Sequence, residues 1–116
     1  MSETPINIPF LPRFHDAIAD GTKTWTSRRK PYGKAGQLLV AFDDSASDRL
    51  YLRLVRVFKM PLQEVAINHY KEEGCASPWS FIALWDEIHP RVGFRPDELV
   101  WVHEFRRVAT GWKPGR

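Results

Sequence analysis

The stretch Gly21-Thr22-Lys23-Thr24-Trp25-Thr26-Ser27-Arg28 constrains this chain more than any other segment. Before it, Leu11, Phe14, Ala17 and Ile18 recur at helical spacing, with Arg13, Asp16 and Asp20 between them. Pro12 suits a first helical turn, and Gly21 suits the left-handed cap that stops a helix. After it, the β-branched and aromatic residues from Thr24 to Arg29 predict a strand. A helix-to-strand corner is therefore built here, and from Lys23 to Arg28 it carries a lysine, two threonine hydroxyls and an arginine. Polar groups at such a corner can point into one shared cleft, where a binding or catalytic site can form.

Elsewhere the pattern alternates short strands with helices. Ile6 to Phe10 reads as a lead-in strand, restricted by Pro5 and Pro9 to an edge or a turn. Pro31, Gly33 and Gly36 break the chain into a loop before an apolar strand at 37–42. A polar turn covers 43–48, and Arg49 to Met60 is the longest strand. Its apolar phase shifts at Val55 and Val57, which predicts a bulge or a strong bend. Pro61 opens a helix carrying Leu62, Val65, Ile67 and Tyr70, closed by Glu73-Gly74. Ser77 as N-cap and Pro78 at the first position start another, with Phe81, Ile82, Trp85 and Ile88 as its buried stripe and Pro90 as its stop. Leu99 to Val108 is apolar on both faces at its start, as a central strand would be. Residues 109–116, rich in Gly, Pro and basic side chains, read as a loose tail. The expectation is one α+β domain spanning 1–116.

Composition narrows the function classes. Five tryptophans and seven phenylalanines in 116 residues supply enough large apolar units for one compact core. No segment approaches the ~20 apolar residues of a membrane span, and Met1 to Pro5 lacks the features of a secretion signal. Cys75 is the only cysteine, so no internal disulfide can form, and a cytoplasmic setting is the expectation. The four histidines are scattered without metal-ligand spacing, so neither metal nor cofactor is expected. A net charge of +3 permits nucleic-acid binding without requiring it.

Gly-x-Lys-Thr-x-Thr-x-Arg after a short N-terminal helix resembles the signature of ASCH domains, small β-barrels similar to the RNA-binding PUA fold. Tyr32-Gly33-Lys34-Ala35-Gly36-Gln37 leading into an apolar strand, and Glu73-Gly74 at a helix end, fit the family in the same order. Gly36-Gln37 stands where family members often carry Gly-Asp. The resemblance covers roughly Phe10 to Val108. It implies a PUA-like small mixed β-barrel with two or three flanking helices. Some small bacterial ASCH proteins are amidohydrolases that remove acyl groups from the exocyclic amine of cytidine. The resemblance implies Lys23, Thr26 and Glu73 as the catalytic residues of such an enzyme, with 4-N-acetylcytidine as the model substrate.

The chemistry suits those residue types. A threonine hydroxyl needs a base to become a nucleophile, and a neutral lysine amine could take its proton and return it to the leaving amine. Arg28 can hold a phosphate or pair with Glu73, and Thr24 would share its strand face. Trp25 and Tyr32 flank the segment and can stack on a base, although Trp25 also fits a core position. On one straight strand, Lys23 would face away from Thr24, Thr26 and Arg28, so it joins them only from a loop or across a bulge. Two other readings stay open: a non-catalytic RNA-binding module using the same cleft, and a ribonuclease using Lys23 with Glu73. The partners expected are a modified nucleoside and weakly bound RNA, with no membrane.

Overall fold

The computed structural model describes residues 4–43 and 49–108, so the tail at 109–116 and the turn at 44–48 lie outside the described residues. The elements are β1 (Ile6–Asn7), a 3-10 turn (Pro12–Phe14), α1 (His15–Ala19), β2 (Trp25–Arg28) and β3 (Leu38–Asp43). They continue with β4 (Arg49–Pro61), α2 (Leu62–Asn68), α3 (Pro78–Ile88) and β5 (Leu99–Arg107). The strands form a single mixed sheet in the order β1-β3-β4-β5-β2. Among the described residues, only the β1–β3 pair is parallel. This is an α+β architecture, with β5 inside the sheet and β1 at an edge, as their sequences require.

The phase shift in β4 has a structural cause. Its register with β5 slips between Leu54 and Arg56, leaving Val55 44% exposed. Before the slip, Leu52 and Leu54 pack with Ile8, Ile18, Leu39, Ala41 and Phe105. After it, Phe58 and Met60 pack on the other cluster, beside Trp25, Leu62, Val65, Phe81, Trp85, Val100 and Val102. One inserted residue thus lets a single strand serve two cores.

The helices differ from their sequence pattern in length. The 11–20 segment resolves into a 3-10 turn and the five-residue α1. Helix α2 stops at Asn68 instead of reaching Glu73, and the chain turns through 69–74. Leu62 and Val65 are buried as expected, but Ala66 takes the buried place and Ile67 is 58% exposed. Helix α3 starts as expected: the Ser77 side chain accepts from the Ser80 amide. Its C-terminal Ile88, expected in the buried stripe, is 44% exposed.

The ladder of hydrogen bonds leaves β1 and β2 as the two edges. A side chain spans the gap between them: Arg28 Nη2 donates to the Pro9 carbonyl at 2.5 Å. The site lies at this edge.

A polar cavity floor at the free edge of β2

Lys23 is placed by backbone bonds, not by strand pairing. Gly21 adopts φ +86 and its amide reaches Ile18, ending α1 as the sequence suggests. The Lys23 amide then donates to the Ala17 carbonyl at 3.0 Å. Thr24 and Trp25 amides both donate to the Glu72 carbonyl, at 2.8 and 2.9 Å. The strand begins only at Trp25, so Lys23 sits in the preceding loop and escapes the alternation that would turn it away.

The 69–74 turn meets that loop. Gly74 has φ +84, and a Cβ there would stand 3.1 Å from Lys23 Cβ, so glycine is needed for both the backbone and the fit. The turn delivers Glu73 against Lys23. Lys23 Nζ donates to the Glu73 carbonyl at 2.6 Å and to its Oε1 at 3.3 Å. The pair is buried, with side chains 3% and 6% exposed. The Phe14 ring centroid lies 4.8 Å from Nζ. Burial pushes the Lys23 pKa below the ordinary lysine value, a shift opposed by Glu73 and aided slightly by Arg28.

The hydroxyls of β2 divide between two partners. Ser27 Oγ donates to Glu73 Oε2 at 2.7 Å. Thr26 Oγ1 instead accepts from Arg28 Nε at 3.0 Å. No hydrogen bond between Lys23 and Thr26 is seen among the described residues, so the hydroxyl expected beside the lysine faces the arginine. Residues 26 and 28 share one face of β2 and residues 25 and 27 the other, and Glu73 lies on the Ser27 side. The neighbouring Ser27, which the sequence reading passed over, holds the carboxylate. Only the fold of the 69–74 turn could single it out.

Arg28 is clasped by aromatic rings. Its guanidinium carbon lies 5.0 Å from the Phe10 centroid and 5.4 Å from that of Tyr32. Burial lowers its pKa, with Tyr32 and Glu73 opposing, and an arginine stays charged regardless. Tyr32 is itself anchored, since its amide donates to His103 Nε2 at 2.9 Å. An amide can only donate, so Nε2 is unprotonated and Nδ1 carries the hydrogen shared with the Thr26 carbonyl at 3.2 Å. The buried His103 therefore fixes both β2 and the Tyr32 loop, and burial lowers its pKa. In the same loop, Gln37 Oε1 accepts from the Lys34 amide at 2.6 Å, so the glutamine side chain serves the turn.

These groups line a cavity of about 690 Å³. Lys23, Thr26, Ser27, Arg28 and Glu73 form its polar floor, while Phe81, Leu84, Trp85 and Ile88 of α3 make an apolar wall. Phe10, Phe14 and Tyr32 close another side, with Arg29 and Lys30 at the lining too. Arg29 is paired with Glu98 at 2.9 Å. Of the expected base-binding residues, Arg28 and Tyr32 face the cavity. Trp25 does not: it is 6% exposed in the core, stacked on His69 at 4.3 Å and edge-on to Phe58. Thr24 does not line the cavity either, and its backbone is engaged by Glu72 and Phe105. Among the described residues, no cluster of three or more His, Cys, Asp or Glu side chains is arranged to hold a metal ion. No helix among them is long and apolar enough to cross a membrane.

No protein-family model matches this sequence, and no curated protein does. Solved structures do match. A protein of Enterococcus faecalis V583 assigned to family model DUF984 superposes with TM-score 0.65 at 20% identity, covering 95% of this chain and 85% of its own. An ASCH domain from Lactobacillus crispatus JV V101 gives TM-score 0.62 at 18% identity, covering 90% and 80%. A mutant ASCH protein from Zymomonas mobilis gives 0.56 at 18%, covering 88% and 67%. The chain shares its fold with these ASCH-domain structures, and likeness at these identities speaks to fold alone.

Proposed function

We propose that the cavity at the edge of β2 is the active site of an amidohydrolase that removes an acyl group from the exocyclic amine of a modified cytidine, as in 4-N-acetylcytidine. The observation that carries this reading is the buried Lys23–Glu73 pair at the cavity floor, with hydroxyls of β2 beside it. Amide hydrolysis needs a group that accepts a proton from the attacking oxygen and one that donates a proton to the leaving nitrogen. Glu73 Oε2 already accepts from a hydroxyl, and Lys23 holds donors at the cavity. Burial weakens the hold of Lys23 on its proton, which makes it a better acid for an amine that leaves poorly. Thr26, backed by Arg28, supplies a second polarised hydroxyl. The aromatic side formed by Phe10 and Tyr32, with Arg28 against both, suits a flat base. No step in this scheme calls for a metal.

The test is direct. Purified protein, without added metal, is expected to release cytidine and acetate from 4-N-acetylcytidine. Lys23→Ala, Thr26→Ala and Glu73→Gln are each expected to lower turnover by orders of magnitude, with losses that do not add. Absence of cleavage by the wild-type protein, free or within RNA, would remove the reading.

A second reading has its own observation. Arg28, Arg29 and Lys30, consecutive in sequence, all line the cavity, a set of cations that also suits a non-catalytic RNA reader with a base in the cavity and phosphates on the rim.

A further inference from the structure

We propose that Ser27, not Thr26, is the nucleophile that takes the acyl group. It rests on the reading of this cavity as an acyl-transfer site. Its ground is the division of the two hydroxyls. Ser27 Oγ, in a residue 8% exposed at the cavity lining, already gives its hydrogen to Glu73 Oε2 at 2.7 Å, and Glu73 Oε1 meets Lys23 Nζ at 3.3 Å. Hydroxyl, carboxylate and amine stand in one chain, the arrangement that activates a weak alcohol. Thr26 Oγ1 has no carboxylate or amine acceptor in reach among the described residues. Its oxygen accepts from a cation, which makes it a poorer nucleophile and leaves its own hydrogen to be donated.

The steps balance. Ser27 Oγ forms a bond to the acyl carbon while its proton passes to Glu73 Oε2, and the carbonyl electron pair moves onto the carbonyl oxygen. The carbon–nitrogen bond then breaks, and the exocyclic nitrogen takes its pair and a proton from the Lys23 ammonium. Glu73 hands its proton to Lys23, restoring the ion pair and leaving an acyl-serine ester with free amine. Water next adds to the ester carbon, giving its proton to Glu73 Oε2. The ester bond breaks, Ser27 Oγ recovers that proton, and a carboxylic acid departs.

The test uses an activated ester, so that it does not depend on the natural substrate. Wild-type protein is mixed with p-nitrophenyl acetate, quenched in acid within seconds, digested and mapped by mass spectrometry. One acetyl group is expected on Ser27. Thr26→Val should still acquire it, more slowly, whereas Ser27→Ala should acquire none on the 21–28 segment. Ser27→Cys, which keeps a nucleophile in place, should accumulate the acetyl group as a thioester should Ser27→Ala fail to fold. Acetyl on Thr26 or Lys23 instead, or no adduct on Ser27, overturns the proposal. An adduct on Ser27 together with uncleaved 4-N-acetylcytidine upholds the nucleophile and overturns only the substrate.

Discussion

Lys23 shows how one side chain ties chemistry to stability. In the unfolded chain it holds its proton up to about 10.4, the ordinary lysine range; in the fold, burial lowers that value. Between the two, the unfolded chain binds more protons than the native state, so the contribution of Lys23 to stability rises with pH across the window. If the ammonium is the acid that protonates the leaving amine, activity must move the other way. The expected profile is kcat/KM for 4-N-acetylcytidine falling with pH, with a midpoint below the ordinary lysine value, while urea unfolding at the same pH values shows no matching loss of stability. Parallel pH–rate and denaturation series check this. A rate that rises through that window would make Lys23 a base, as its pairing with a threonine alone would have it. The same residue explains why glycine stands at 74, since any side chain there would press on the lysine stem.

At the scale of elements, the site depends on where helices and strands stop. The early end of α2 at Asn68 frees the 69–74 turn to carry Glu73 to Lys23, and the late start of β2 at Trp25 leaves Lys23 in a loop. Helix α3 supplies the apolar wall and is held at its start by Ser77, whose Oγ accepts from the Ser80 amide at 3.1 Å. Ser77→Ala is expected to cost about 1 kcal/mol of stability, read from urea midpoints at unchanged m-value. Because Phe81 and Trp85 are 3% and 5% exposed and anchor the wall in the core, turnover should change far less than for any floor residue. A loss of turnover as large as that of Lys23→Ala would mean that α3 positions the floor itself.

The whole molecule decides between enzyme and RNA reader through its charge. With a net charge of +3 and three consecutive cations lining the cavity, an anionic strand finds a favourable field, whereas an uncharged nucleoside gains little from it. A nucleoside carries no phosphate, so kcat/KM for 4-N-acetylcytidine is expected to change little between ~50 and ~200 mM salt. A reader held by six or more phosphates of a single strand would lose ~300-fold or more in affinity over that range. Filter binding of single-stranded RNA beside the nucleoside assay separates them: tight, steeply salt-dependent binding with no cleavage would favour the reader. Much of this was legible in the amino-acid order. The glycine cap at 21, the start of α3 at Ser77-Pro78 and the phase shift at Val55 are local signals, written in backbone preference and in the alternation of apolar residues. So was the gathering of Lys23 and Arg28 at a corner. What only the tertiary structure decided are relations between segments far apart in the chain. Trp25 became core because α2 and its turn brought His69 over it, and nothing local separates a stacked wall from a buried one. Ser27 took the carboxylate and Thr26 the guanidinium because Glu73 arrived on one face of β2 and Pro9 drew Arg28 to the other. Side-chain alternation along a strand assigns residues to two faces; which face meets the acid is set by the packing of a turn some fifty residues away.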